Sequence, residues 1–248
     1  ALSSAASDVY KRQKEYNGWQ KQKNKLNIQG EIEKAIETII GEEIELIASG
    51  RTDAGVHSLG QTANFKTEST IQIEKIPIAI NSQLKKSIRI KSAEEVEENF
   101  HSRYNCKRKT YRYTINNSEQ GSAIYRNLET HIPYKLDVIK MQNAAKYFEG
   151  EHDFKAFKAS GTSSKSSVRT IYSAKVIDAG NEKIYIELTG NGFLYNMVRI
   201  ISGTLVDVGC GKIKPEEIKN IIESKNRNLA GKTLPPQGLY LVNVEYEN

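Results

Sequence analysis

The sequence predicts an α+β protein whose sheet is mainly antiparallel. Three observations carry that reading. Apolar residues recur about every 3.6 positions in several separated segments, the mark of helices with one buried face. Between them lie short runs with a period of two; in residues 107–116, Thr110, Arg112 and Thr114 alternate with Tyr111, Tyr113 and Ile115. Residues 168–179 and 183–189 are two strand-like runs joined across Ala179, Gly180 and Asn181, a hairpin signal. Interleaved helices and hairpin-linked strands are the pattern of an α+β fold.

The elements follow in order. Residues 27–40 place Ile28, Ile32, Ala35, Ile36, Ile39 and Ile40 on one helical stripe, and Gly41 supplies the helix stop. Residues 44–48 read as a short buried strand, residues 50–57 as a polar loop with two glycines, and residues 59–65 as a second strand. Residues 74–84 form a helix that tolerates Pro77 in its first turn. Residues 87–93 and 107–116 are strands, and residues 136–148 a helix ended by Gly150. After the hairpin, residues 193–208 are apolar on most faces, as in a buried helix. Residues 214–223 open with Pro215, Glu216 and Glu217, a helix start, and residues 239–246 alternate as a final strand.

Residues 1–13 have no amphipathic period and lack the charged-then-apolar order of a secretory leader. They resemble translated adapter sequence, or a disordered tail, and are expected to stand outside the fold.

Composition narrows the function. The chain has 248 residues, enough for one large domain or two small ones. Lys and Arg number 36 against 30 Asp and Glu, a net charge of +6. That excess points to an anionic partner, most often nucleic acid. Mean hydropathy is −0.57, and no run approaches the ~18 apolar residues of a spanning helix, so a membrane protein is excluded. Cys106 and Cys210 are far apart and in no ligand spacing, and His57, His101, His131 and His152 form no close pair. Neither a disulfide framework nor a metal site is expected, and two reduced thiols fit a cytoplasmic protein. Gly209-Cys210-Gly211-Lys212 lacks the spacing and the hydroxyl residue of a phosphate-binding loop.

The most informative stretch is Gly50-Arg51-Thr52-Asp53-Ala54-Gly55-Val56-His57. It sets a cation, a hydroxyl and a carboxylate between two glycines, on a loop held by flanking strands, where reactive side chains commonly sit. By spacing alone Asp53 reads equally as a turn residue.

This octapeptide resembles the signature of the TruA family of tRNA pseudouridine synthases, and other blocks of that family appear in the right order along the chain. Tyr16-Asn17-Gly18-Trp19-Gln20 is similar to its early Gly-Trp-Gln block. The run from Phe100 to Tyr104, then Lys109-Thr110-Tyr111-Arg112-Tyr113, resembles its next two blocks. His152-Asp153-Phe154 with Phe157, Val168-Arg169-Thr170-Ile171, Asn196-Met197-Val198-Arg199 and Gly238-Leu239-Tyr240-Leu241 complete the set. The resemblance implies two α+β halves, residues 14–105 carrying the Asp53 loop and residues 106–248, flanking a basic cleft. Members usually begin with a strand before the Gly-Trp block; here adapter-like residues hold its place, which implies a missing sheet element.

The resemblance also implies the chemistry: isomerisation of uridines 38, 39 and 40 in the anticodon stem-loop of tRNA, with no cofactor and no metal. It makes Asp53 the catalytic carboxylate, as nucleophile at C1′ or as base at C2′. It makes Arg199 the cation that keeps Asp53 ionised, Tyr111 the ring against the uracil, and Arg51 the side chain that extracts the base. By residue pattern alone these are a helix-side cation, a core strand residue and a solvated loop Arg. Bacterial members are homodimers, so a homodimer is expected.

Two stretches suggest an electrostatic footprint. Residues 101–115 hold Arg103, Lys107, Arg108, Lys109 and Arg112 without an acid; residues 154–177 hold Lys155, Lys158, Lys165, Arg169 and Lys175 without one. Arg169 is the substrate-binding candidate of the second, beside a small-residue loop at 160–167 that reads as flexible. Solvated strand faces are the plainer reading. A tRNA-binding protein without catalysis is the competing function. A hydrolytic glycosylase is disfavoured, because it would need a second carboxylate in the loop. Asp153 and the histidines read as scaffold.

Overall fold

The computed structural model describes residues 3–11, 16–161 and 164–246. The chain divides into two units, one of residues up to Lys107 together with those from Leu241 onward, the other Arg108–Tyr240. The final strand, expected to close the second half, thus returns to the first.

In the first unit the sheet order is β4 (Ile88–Val96), β1 (Ser3–Lys11), β3 (His57–Thr67), β10 (Leu239–Glu245), with β2 (Ile47–Ala48) also on β3. β1 corrects the expectation that residues 1–13 lie outside the fold and that a strand is missing. Its backbone pairs antiparallel with β3 from Ser3↔Thr67 to Lys11↔Ser58, and with β4 from Ser4↔Val96 to Lys11↔Ile88. The reason is backbone satisfaction. The facing edges of β3 and β4 present rows of N–H and C=O groups that need a partner, and any extended stretch without proline supplies one. Hydrophobic patterning is not required for that. Residues 1, 2, 12 and 13 lie outside the described residues.

Helix α1 (Ile28–Ile40) ends where expected and starts one residue later than expected: Asn27 is its cap, accepting from the Gly30 N–H, and Gly41 at φ +76° ends it. Its stripe packs with α2 (Ile76–Gln83) on Ala63, Phe65, Ile88 and Ile90 of the sheet, together with Tyr16 and Trp19. The strand expected over residues 44–48 pairs only at Ile47–Ala48. The Leu46 N–H instead donates to Oε1 of buried Glu33 (3.3 Å), which Lys21 pairs at 3.0 Å. On the other face of β3, Asn64 accepts from the Ser102 N–H (2.9 Å), and the Ser102 hydroxyl donates to the Ile47 carbonyl (2.6 Å).

In the second unit the order is β5 (Arg108–Asn116), β9 (Lys183–Gly190), β8 (Val168–Asp178), β7 (Gly150–Asp153), all antiparallel, with the two-residue β6 (Thr130–His131) parallel to β5. β6 and β7 are too short for a sequence period to reveal. Helices α3 (Val138–Ala145) and α4 (Met197–Gly209) supply buried residues to the unit, and α5 (Glu217–Ser224) adds Ile218, Ile221 and Ile222. The buried helix expected from residue 193 begins only at Met197, because Asn196 adopts φ +58°. Among the described residues no helix is long and apolar enough to cross a membrane.

Candidate active site

In the first unit the Asp53 loop bridges β2 and β3, and three contacts hold it. At its entry, Gln61 of β3 is fully buried; its Oε1 accepts from the Ser49 hydroxyl and its Nε2 donates to the Gly50 carbonyl, both at 2.6 Å. In its middle, the Trp19 N–H donates to the Thr52 carbonyl at 3.0 Å. Gly18 makes that approach possible: it sits at φ +98°, and a Cβ there would lie 2.9 Å from the Thr52 oxygen. Around Asp53 itself the chain turns, with the Val56 N–H donating to the Asp53 carbonyl (3.2 Å) and Gly55 at φ +80°. Thr52, Val56 and His57 are buried, Asp53 is half-buried and Arg51 is exposed. The Gly-Trp block and the Asp53 loop, 35 residues apart in the letters, are thus one local structure.

In the second unit, β5 presents Tyr111 and Tyr113 on the same buried face, as their alternation requires. The Tyr111 ring meets Phe193 edge-on at 5.2 Å. Tyr113 is fully buried; its hydroxyl shares a 2.6 Å bond with the Thr130 hydroxyl and donates to the Pro235 carbonyl at 2.6 Å. Burial pushes its ionisation well above the usual phenol range, so it is a structural hydroxyl.

Arg199 lies in the first turn of α4. Its Nε donates to the Leu234 carbonyl (2.6 Å) and its Nη1 to Oδ1 of Asn196 (2.7 Å). Both acceptors are neutral, so these bonds orient the guanidinium without cancelling its charge. Leu234 is brought there because residues 231–234 cross α4 in backbone contact. A Cβ on Gly203 would lie 1.9 Å from the Lys232 oxygen, and the Gly231 N–H donates to the Thr204 hydroxyl (2.9 Å).

Arg169 braces its own loop. Its guanidinium donates to the carbonyls of Ser166 (3.1 Å) and Val168 (2.5 Å) and to the Ser164 hydroxyl (3.2 Å). Partial burial lowers its pKa. Of the loop expected to be flexible, residues 162 and 163 lie outside the described residues; the Ser164 hydroxyl donates to the Ser166 carbonyl, the Ser166 hydroxyl accepts from the Val168 N–H, and the Ser167 hydroxyl donates to Asp153. Asp153 is scaffold: it accepts from the Ser167 hydroxyl (2.5 Å) and pairs with Lys225 at 2.9 Å.

The first basic stretch does not act as one face. Alternation puts Arg112 opposite the Tyr111 face, where Glu187 pairs it at 2.7 Å and the Tyr185 ring lies 4.7 Å beneath. Arg108 covers Tyr172 at 4.9 Å. Arg112 is therefore a cross-strand ion pair and not an uncompensated cation. Among the described residues no cluster of three His, Cys, Asp or Glu side chains could hold a metal.

Gln61 and Asn196 were not singled out from the letters. Gln61 shares strand parity with Ala63 and Phe65, so a polar residue on an apolar face was its signal; for Asn196 the signal was its spacing of three from Arg199.

The chain matches the family model described as tRNA pseudouridine synthase over residues 14–105 and 144–247. It belongs to that family. This tRNA pseudouridine synthase family member is an isomerase acting on tRNA. Arg51, Asp53, Arg169 and Arg199 lie within the matched residues, and Tyr111 lies between the two stretches. A protein named tRNA pseudouridine synthase A from Caldicellulosiruptor saccharolyticus is 54% identical over 93% of this chain and 94% of its own length. Proteins of the same name from Acetivibrio thermocellus and Clostridium acetobutylicum are 51% and 48% identical over the same shares. Among solved structures, an archaeal box H/ACA sRNP Nop10-Cbf5 complex is 12% identical, covering 82% of this chain and 44% of that one at a TM-score of 0.38, too slight a likeness to carry an argument.

Proposed function

We propose that this enzyme isomerises uridines 38, 39 and 40 of the tRNA anticodon stem-loop, with the Asp53 carboxylate as its reactive group. The C1′–N1 bond of the uridine breaks, the uracil turns, C1′ bonds to C5, and the C5 proton is lost as N1 regains one. No atom is gained or lost overall, so the reading requires neither cofactor nor metal. Asp53 acts at the ribose, as nucleophile or as base. Arg199 is the cation that favours its charged form, Tyr111 the ring that stacks on the detached base, and Arg51 the side chain that takes the place of the extruded one. Arg169 shapes a substrate-binding loop. The enzyme works as a cytoplasmic homodimer.

The observation that carries this reading is the pinning of the Asp53 loop by Gln61, by the Trp19 N–H and by the turn at Gly55. A carboxylate that needed only to be solvated would not require such a mount; one that must meet a ribose in a fixed geometry does. The test is unmodified tRNA incubated with wild type and Asp53→Asn, without metal or cofactor, followed by pseudouridine mapping. Turnover is expected to fall by roughly 10³-fold or more in the variant, with tRNA affinity retained. Undiminished turnover removes Asp53 from the chemistry; tRNA binding without pseudouridine in wild type leaves a binding protein only.

A further inference from the structure

We propose that Asn196 is a positioning residue for Arg199, and that its side chain and its unusual backbone serve that end. The inference rests on the reading of Arg199 as the cation of the reaction. Asn196 occupies the cap position of α4, where a residue normally holds an extended backbone and its side chain accepts from the first free N–H groups of the helix. Asn196 does neither. Its φ is +58°, and its side chain makes no capping bond. Its Oδ1 accepts from Nη1 of Arg199 instead, at 2.7 Å. Its own carbonyl still accepts the first helical bond, from Ile200 at 2.9 Å, so α4 starts normally.

A left-handed residue that gives up its cap is a local cost, and such costs persist where surrounding structure or function demands them. What is obtained here is a second anchor for one guanidinium. The Leu234 carbonyl holds Nε and Asn196 holds Nη1. Bonds to two different nitrogens constrain the guanidinium plane more tightly than either bond alone. A neutral amide does this without neutralising the cation, which an aspartate would do.

The backbone demand and the acceptor demand are separable. Glycine accepts φ +58° without strain but offers no acceptor; alanine offers none and is strained there. Four variants are compared with wild type for kcat, tRNA Kd and Tm: Asn196→Gly, Asn196→Ala, Arg199→Ala, and the Arg199→Ala/Asn196→Gly double variant. Expected is a fall in kcat of about tenfold or more in both Asn196 variants, with tRNA Kd unchanged and Tm lowered more in Asn196→Ala than in Asn196→Gly. In the Arg199→Ala background, Asn196→Gly should cost nothing further. Wild-type kcat in Asn196→Gly overturns the inference, because the residue then serves only the backbone. An equal loss in both backgrounds overturns it too, because Asn196 then acts elsewhere. Wild-type kcat in Arg199→Ala alone marks failure of the underlying reading of Arg199.

Discussion

At the scale of single residues, Gln61 holds the Asp53 loop from beneath. It is completely buried, and both ends of its amide are used, one by the Ser49 hydroxyl and one by the Gly50 carbonyl. Gln61→Leu keeps most of the volume and removes both bonds. Groups left without their partner in a buried site cost about 1–3 kcal/mol, so the variant should unfold at lower urea. Its turnover should fall further than its stability accounts for, because the loop entry is no longer fixed. A denaturant titration beside a pseudouridine assay reads both; unchanged turnover would show that the Gly50 end does not govern Asp53. Tyr111 and Tyr113 give the opposite lesson. Two tyrosines of the same parity and face have different surroundings, and the buried hydroxyl pair with Thr130 assigns Tyr113 to structure.

At the scale of elements, the crossing of residues 231–234 over α4 places the Leu234 carbonyl on Arg199. Gly203→Ala would put a methyl 1.9 Å from the Lys232 oxygen, a backbone atom that cannot rotate away. The variant should lose about 3 kcal/mol or more, measured by urea unfolding, and with it the register of Leu234. A second element contact links the β7 end to the chain before β8 and to the residue after α5. The Ser167 hydroxyl and then Lys225 hold the Asp153 carboxyl below the ordinary carboxylate range. A depressed folded pKa contributes stability above the unfolded value of about 4, and that contribution is lost as pH falls through the folded value. The stability difference between wild type and Asp153→Asn should therefore be full at neutral pH and shrink below about pH 4. A difference that stays constant across that range would assign it to shape rather than charge.

At the scale of the whole molecule, the net charge of +6 governs encounter with a polyanion. Phosphate neutralisation makes tRNA affinity fall by at least tenfold between roughly 50 and 200 mM salt. The structure refines which cations contribute. Arg112 is balanced by Glu187 across β5 and β9, so Arg112→Gln should leave the salt slope unchanged. Filter binding across a salt series tests both statements, and a flat series would remove the electrostatic footprint.

How much of this was legible depends on what kind of force sets each feature. Helix α1 was readable to its last residue, because its apolar stripe and its Gly41 stop are both local. The shared face of Tyr111 and Tyr113 was readable from a period of two. The loop around Asp53 was readable as a motif. β1 was not, because a strand lying between two others is accepted for its backbone, whatever its side chains. The late start of α4 was not, because apolar periodicity says nothing of a residue turned to φ +58°. The sequence by itself determined the amphipathic elements and the loop carrying Asp53, since burial of apolar faces depends on spacing along one segment. Only the tertiary structure decided what holds that loop and what holds Arg199. Gln61 and the Leu234 carbonyl, 35 residues from its partner, act through hydrogen bonds that exist only once distant backbones have been packed into contact.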